Sequence, residues 1–172
     1  MNEVLQNMMA RRSCRSFEAA QVAPAALDEI LNAGLYAASG MGKQSPVLVA
    51  VQDAETVREL SRLNAAVMGT AGDPFYGAPT VVVVLAEENV RTWVEDGSLA
   101  IGNMMNAAES LGVASCWIHR AREVFDSDAG KALLRKWGVP EGYRGVGNCI
   151  LGYRKGEKPE AAPRKDGRVY RV

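Results

Sequence analysis

The sequence predicts a three-layer α+β domain, in which helices cover both faces of a central sheet. Four short runs rich in Val, Ile and Leu have the length of strands, and the run from Pro79 to Ala86 is almost continuously apolar, as expected for a strand buried on both faces. Segments with apolar residues at helical spacing lie between these runs, although a regular βαβ alternation is absent. A chain of 172 residues accommodates one domain with a sizeable core.

The predicted elements follow one another without an internal repeat. Helices are predicted where apolar residues recur every three or four positions. Pro24 suits the first turn of one helix, and Asp53 can cap the next. The predicted helices comprise residues 4–9, 24–35, 54–67, 98–111 and 129–137. The predicted strands comprise residues 47–51, 79–86, 113–118 and 145–153.

Two segments indicate a second subunit. The helix predicted over residues 98–111 is apolar almost all round, and a helix without a polar face has to be covered on every side. In so small a domain, this predicts a helix at a subunit interface. Residues 154–172 are polar, contain two prolines and lack a core pattern, so they are expected either to be disordered or to wrap around a partner subunit.

Composition limits the classes of function. Lys and Arg together number 20, as do Asp and Glu, and the zero net charge argues against general binding of nucleic acid or of an anionic membrane surface. Cys14, Cys116 and Cys149 lie far apart, which disfavours a disulfide framework, and no metal site is expected. Neither a signal-peptide pattern nor a membrane-spanning run is apparent, so the expected location is the reducing cytoplasm.

A basic segment follows the first predicted helix. Arg11, Arg12 and Arg15 lie within five residues, together with the hydroxyl group of Ser13. Guanidinium groups offer planar, bidentate donors that match phosphate oxygens. The segment is therefore a candidate phosphate site, although on spacing alone a solvated basic loop is the more common explanation.

A loop rich in glycine and serine spans residues 39–46. Gly40 and Gly42 would let backbone amides approach a planar ligand closely. Gln44 can both donate to and accept from the edge of a heterocycle. A plain turn between a helix and a strand is the common alternative.

The remaining candidates lie at the end of the third strand and in the tail. His119, the only histidine, follows Trp117 and Ile118. A lone histidine at a strand end is more often structural, and a tryptophan there more often belongs to the core. Arg164 and Lys165 form a second basic cluster, for which a charged surface is the alternative.

The order of these motifs resembles the flavin-dependent nitroreductase family, in particular its short members. The resemblance lies in an Arg-x-Ser-x-Arg-x-Phe stretch at residues 11–17, a Ser-Gly-rich loop with a glutamine at residues 39–44, a Leu-Gly-Val-x-Ser-Cys-Trp-Ile stretch at residues 111–118, and a Leu-Gly-Tyr ending before a basic tail. Each motif is loose, but the ordered set covers essentially the whole chain.

The resemblance implies a nitroreductase-like fold, with a central and mostly antiparallel sheet flanked by helices over residues 1–172. It also implies a homodimer with two FMN sites at the subunit interface and with the tail of residues 154–172 wrapped around the partner. The FMN phosphate and ribityl chain would be held by six residues, namely Arg11, Arg12, Ser13, Arg15, Arg164 and Lys165. The edge of the isoalloxazine ring would meet residues of the other subunit, namely Ser39, Gly40, Met41 and Gln44. The far side of the ring would be lined by Trp117, Ile118 and His119, and the pyrimidine edge would meet Asn64.

The resemblance further implies a ping-pong reaction. NADH or NADPH donates a hydride to FMN and leaves, and a small acceptor such as a nitroaromatic compound or a quinone then takes the reducing equivalents. Because the flavin carries the redox chemistry, no catalytic side chain is assigned. Arg15 is the candidate for an electrostatic role, because a donor near the reduced, anionic ring would stabilise it.

Two departures from the family restrict what the resemblance implies about the acceptor. Many larger members carry an asparagine where this chain has Gly42, and they follow the glutamine with Pro-Trp where this chain has Ser45 and Pro46. Residues 69–77 also offer little length for a substrate lid. The physiological acceptor and the preference between NADH and NADPH therefore stay open.

Three alternatives remain at this point. The first is another reaction on the same fold, such as quinone reduction, flavin reduction or reductive dehalogenation. The second is a non-catalytic flavin-binding or redox-sensing protein, which would carry the same phosphate-binding residues. The third is a small interaction domain without a cofactor, which leaves the basic segment and the glycine-rich loop unexplained.

Overall fold

The computed structural model describes residues 1–172 and contains one four-stranded sheet. The strands are β1 (Pro46–Val51), β2 (Thr80–Glu87), β3 (Ala114–Ile118) and β4 (Tyr143–Gly152). They lie in the order β1-β2-β4-β3, and every neighbouring pair is antiparallel. The four predicted strands and the antiparallel sheet are thereby confirmed.

Six helices surround the sheet. They are α1 (Glu3–Ala10), α2 (Pro24–Leu35), α3 (Ala54–Met68), α4 (Trp93–Ser110), α5 (Ala121–Asp126) and α6 (Asp128–Lys136). Apolar residues of α2 and α4 share one core with the sheet, whereas those of α3, α5 and α6 share a second core on the opposite face. The predicted three-layer α+β arrangement is therefore confirmed.

The central strand β2 separates the two cores. Val81, Val83 and Leu85 point into the core beneath α3, and Val82 and Val84 point into the core beneath α4. All five side chains are fully buried. This pattern explains why the strand is apolar at consecutive positions, since neither of its faces meets water.

Capping residues define both ends of helix α3. The side chain of Asp53 accepts a hydrogen bond from the backbone N–H of Thr56, which confirms Asp53 as the N-cap. The hydrogen bond from the Thr56 hydroxyl lowers the pKa of Asp53. At the other end Gly69 adopts a left-handed conformation, with φ of 70°, that glycine accommodates without strain.

Helix α4 differs from its prediction in length. It begins at Trp93, five residues before the predicted start at Ser98. The sequence analysis missed this first turn because the polar residues Glu95 and Asp96 interrupt the apolar pattern. One side packs into the core, but Leu99 is 50% exposed. The prediction also missed α5, a helix of six residues that is too short to show a period.

The segment between α3 and β2 is a closed turn. The carboxylate of Asp73 accepts hydrogen bonds from the hydroxyl of Ser61 and from the backbone N–H groups of Phe75 and Gly77. Phe75 is buried in the core. These contacts tie residues 69–77 to the body of the domain.

The tail leaves the sheet at the end of β4. Arg154 forms an isolated bridge with Phe17, and Lys158 makes an ion pair with Glu109 of α4. Residues 157–172 have no regular secondary structure beyond a bend and are exposed. No helix of the chain is both long and apolar enough to cross a membrane.

We expect the contact between α4 and β4 to tolerate no extra methyl group at Gly97. A Cβ atom there would lie 2.6 Å from Cγ2 of Val146, so Gly97→Ala should reduce the free energy of unfolding by about 1–3 kcal/mol. Urea unfolding measures this change. The matched control is Gly72→Ala, whose Cβ would meet only Thr70 Oγ1 at 3.6 Å. Equal losses in the two variants would contradict the prediction.

Candidate active site

The basic segment lies along the free edge of β3. Ser13 forms a parallel bridge with Ser115, and the backbone N–H of Cys14 donates to the carbonyl of Ser115 at 2.9 Å. Cys14 is fully buried and therefore anchors the segment. Because β3 is an edge strand of the sheet, its outer side is free to pair with this segment. The pairing fixes the position of the arginines on either side of Cys14.

Two of these arginines have buried donors without acceptors. Nη1 of Arg11 and Nε of Arg12 are inaccessible to water and form no hydrogen bond within the chain. Nη1 of Arg12 is satisfied, since it donates to the carbonyls of Met9 and Arg11 at 2.7 and 2.6 Å. A buried cationic donor without a partner is costly, and an anion seated there would remove that cost. These residues therefore fit a phosphate group.

A further guanidinium group beside this segment, that of Arg154, was missed by the sequence analysis. Nη2 of Arg154 donates to the carbonyl of Arg12 at 3.4 Å. Its position directly after the Leu-Gly-Tyr ending was the signal that could have identified it. Arg15 is exposed. Arg164 donates only to the carbonyl of Ala162, and neither it nor Lys165 bonds to the basic segment within one chain.

The glycine-rich loop is held in an unusual conformation. Ser39 Oγ accepts a hydrogen bond from the N–H of Gln44 at 2.9 Å, which closes the loop around a 3₁₀ turn at Gly40–Gly42. Met41 and Gln44 have φ of 52° and 51°, which non-glycine residues rarely adopt. Met41 is 88% exposed, so the strained residues face outward. Strain of this kind is common at ligand-binding sites.

The buried carboxylate of Asp96, on α4, holds this loop in place. Asp96 is 2% exposed, accepts from the N–H of Gly40 at 2.9 Å, and accepts from the hydroxyl of Ser45 at 2.8 Å. Gly40 also has no room for a side chain, because a Cβ would lie 2.2 Å from Thr92 Oγ1. The sequence analysis missed Asp96, and the signal that could have found it is a carboxylate in the first turn of a helix.

The end of β3 divides its predicted site residues. Trp117 packs against the core shared with α2 and α4, whereas Ile118 is buried in the opposite core. Their side chains consequently point to opposite faces of the sheet and do not present themselves to the same face of one planar ligand. His119 follows the strand and is exposed.

Asn64 is engaged within the chain. It is fully buried on α3, its Nδ2 donates to the carbonyl of His119 at 2.8 Å, and its Oδ1 accepts from Nε of Arg120 at 2.9 Å. The predicted contact between this amide and a flavin stays a prediction.

A large groove lies elsewhere on the surface. It has a volume of about 1240 Å³ and is lined by α3, by residues 70–79 and by the chain preceding α3. None of the predicted site residues lines it, and neither do the buried unpaired atoms of Arg11, Arg12 and Asn148. The unpaired donors identify a need for a ligand, which a cavity volume alone does not, so the site is placed at the edge of β3.

The cysteines do not form a redox centre. All three are free and buried. Burial raises the pKa of Cys149 to about 12, although the charge of Arg11 acts in the opposite direction. A thiol with so high a pKa is not a nucleophile at neutral pH. No group of three or more His, Cys, Asp or Glu side chains is arranged to hold a metal ion.

Comparison with known proteins identifies the family. The sequence profile of the nitroreductase family matches residues 8–71 and 68–153. A protein from Archaeoglobus fulgidus, which bears the provisional name NADH dehydrogenase/NAD(P)H nitroreductase, is 30% identical over 164 residues, covering 92% of this chain and 89% of its own. The chain belongs to the nitroreductase family.

Solved structures share the whole fold. A nitroreductase with bound FMN from Bacteroides fragilis is 34% identical, with a TM-score of 0.92 and all of both chains covered. A nitroreductase with bound FMN from Desulfitobacterium hafniense is 28% identical, with a TM-score of 0.88 over 99% of this chain and 98% of its own. An FMN reductase (NAD(P)H) from Bacillus subtilis is 28% identical over 145 residues, which are 71% of this chain and 56% of that protein.

We expect Asp96→Ala to loosen the glycine-rich loop. The N–H of Gly40 and the hydroxyl of Ser45 would lose their shared acceptor, which should reduce the free energy of unfolding by about 2–4 kcal/mol. Chemical denaturation measures this loss, and limited proteolysis should cut the folded variant within residues 39–45. Glu95→Ala removes the neighbouring, exposed carboxylate of α4 and is the control. A loop as resistant to proteolysis in Asp96→Ala as in the unaltered chain would rule out this role.

Proposed function

We propose that this chain is an FMN-dependent oxidoreductase that uses NADH or NADPH to reduce a small electron acceptor, such as a nitroaromatic compound or a quinone. The observation that carries the proposal is the pair of buried, unpaired donors on Arg11 and Arg12. A phosphate dianion would satisfy both. The FMN bound in two solved relatives and the NAD(P)H in the names of two others support the choice of cofactor and electron donor.

The basic segment would hold the phosphate and ribityl chain. Arg11, Arg12, Ser13 and Arg15 come from one stretch that β3 anchors, and Arg154 adds a further charge beside it. Their combined charge would neutralise a phosphate dianion. Two tail residues, Arg164 and Lys165, would join the phosphate of the partner or of the same chain when the tail is docked.

The ring-binding residues would come from both subunits. Met41 and Gln44 are exposed on the strained loop, and they would meet the ring of the partner together with the half-buried Ser39 and Gly40. The exposed His119 would line the far side of the ring. Only one of Trp117 and Ile118 could join it, because their side chains point to opposite faces of the sheet. FMN, when bound, supplies the hydride chemistry, so the side chains bind, orient and exclude water. Arg15 is the residue proposed to stabilise negative charge on the ring.

The apolar side chains of α1 support a homodimer. No residue of α1 is buried, and Val4, Leu5, Met8 and Met9 are between 49% and 63% exposed. Among its side chains, only the amide of Asn7 hydrogen-bonds to the body of the domain, donating to the carbonyl of Asn106 on α4 at 2.8 Å. An exposed apolar helix beside the half-exposed Leu99 requires a cover, and a second copy would supply it.

The dimer can be tested by introducing charged residues on the apolar face of α1. Leu5 and Met9 lie one turn apart and opposite Asn7, so Leu5→Glu with Met9→Lys removes apolar surface while adding a helix-supporting ion pair. The double variant should sediment as a monomer and bind FMN more weakly. Val67→Lys alters an exposed valine at the far end of α3 and is the control. A double variant that remains dimeric with unchanged FMN binding would contradict this interface.

The acceptor and the alternative function are separate questions. The closed turn at residues 69–77 supplies no lid that would favour a reaction requiring an enclosed substrate. A non-catalytic flavin-binding or redox-sensing protein is the alternative, because it would carry the same phosphate-binding residues.

The cytoplasm is the proposed location, since NADH and NADPH are available there and the free cysteines suit a reducing compartment.

Anaerobic reduction of the FMN-loaded protein tests the function. NADH or NADPH should bleach the visible absorption of the bound flavin, and a quinone or nitroaromatic compound added afterwards should restore it. A flavin that is bound but stays oxidised would favour the non-catalytic alternative. A chain that takes up no FMN would overturn the proposal.

The variant that links this test to the site is Arg11→Ala. It should raise the dissociation constant for FMN by roughly tenfold to a hundredfold, since a hydrogen bond to a charged group contributes about 1.5–3 kcal/mol. Flavin fluorescence measures the binding. Arg58→Ala removes an exposed arginine of α3 and should leave binding unchanged. Equal binding by both variants would show that the phosphate lies elsewhere.

A further inference from the structure

The chain turns sharply where β3 ends. Ile118 is the last residue of the strand, Arg120 has φ of 76°, and α5 begins at Ala121. Residues other than glycine, asparagine and aspartate rarely adopt this left-handed backbone conformation. A strained residue of this kind persists only where the surrounding structure holds it in place.

Asn64 is the residue that holds this turn. Its buried amide donates to the carbonyl of His119 at 2.8 Å and accepts from Nε of Arg120 at 2.9 Å. The two bonds engage consecutive residues, one through the backbone and the other through the side chain. A single planar amide therefore fixes both the carbonyl of His119 and the direction of the Arg120 side chain.

The turn itself keeps groups available to a ligand. The backbone N–H groups of His119 and Arg120 donate to no backbone acceptor within the chain. Arg120 also has no ion-pair partner. The His119 imidazole is exposed. The Asn64 bonds thus use the side of the turn that faces α3 and leave these groups unengaged.

We propose that Asn64 and Arg120 are positioning residues that form a clamp on the turn after β3, and that Asn64 affects FMN through this turn without touching the flavin. The clamp holds His119 and its neighbours at the side of the ring proposed above. The inference rests on the proposed function. It gives Asn64 a role different from the pyrimidine contact that the family resemblance implies.

A double-mutant cycle distinguishes the two roles. Arg120→Gly removes the partner of Asn64 Oδ1 and places in the turn a residue that adopts the left-handed conformation without strain. Asn64→Ala in the otherwise unaltered chain should raise the dissociation constant for FMN by roughly tenfold. In the Arg120→Gly background, the same substitution should cost less than about twofold, because the turn no longer needs the clamp. Equal losses in both backgrounds would show that Asn64 does not act through Arg120 and would overturn the proposal.

Hydrogen exchange on the cofactor-free chain gives an independent reading. Asn64→Ala should accelerate amide exchange over residues 117–122 and leave residues 39–45 unchanged. Unchanged exchange over residues 117–122 would overturn the clamp, whatever happens to FMN binding. A chain that binds no FMN would instead overturn the proposed function and the clamp's effect on the flavin.

Gln52→Ala is the matched control for general destabilisation. Like Asn64, Gln52 is an amide with tertiary hydrogen bonds, in this case to the carbonyl of Val22 at 3.1 Å and to Thr80 Oγ1 at 3.2 Å. It should lower the unfolding temperature while leaving FMN binding unchanged. If Gln52→Ala weakens FMN binding as much as Asn64→Ala does, the effect is a loss of stability and the positioning role is wrong.

Discussion

Burial of β2 on both faces is the constraint on which the rest of the structure depends. A strand with no polar face requires a layer of helices on either side, and the chain supplies α4 to one and α3 to the other. Each of these helices carries a buried polar side chain out to the periphery of the sheet. Asp96 reaches the glycine-rich loop from α4, and Asn64 reaches the end of β3 from α3. The candidate site is therefore built on the two layers that the central strand makes necessary.

Most of the fold could be predicted because its signals are local. The valine run of β2, the apolar spacing of α2 and α3, and the cap at Asp53 each lie within one element, so short-range chemistry determines them. The same reasoning failed where an element lacks a period or hides its start. Helix α5 has only six residues, and the first turn of α4 is polar because it faces the loop.

The site was predictable in outline and less so in its contacts. The basic segment and the glycine-rich loop could be located from residue types, and the buried donors of Arg11 and Arg12 strengthen that interpretation. The hydrogen bonds of Asp96 and Asn64 join residues 51 to 56 positions apart, which no local pattern encodes. One available signal was overlooked, since the alternation of side chains along a strand already separates Trp117 from Ile118.

The burial of the cysteines has a consequence for the chemical durability of the protein. Quinones, and the nitroso compounds that form when nitro groups are reduced, are electrophiles that react with thiols. Cys14, Cys116 and Cys149 are at most 2% exposed, and the pKa of Cys149 is about 12. Since the thiolate is the form that attacks electrophiles, the folded chain offers such compounds no nucleophilic sulfur within reach. With the acceptors proposed above, the enzyme would be protected from thiol modification for as long as it remains folded.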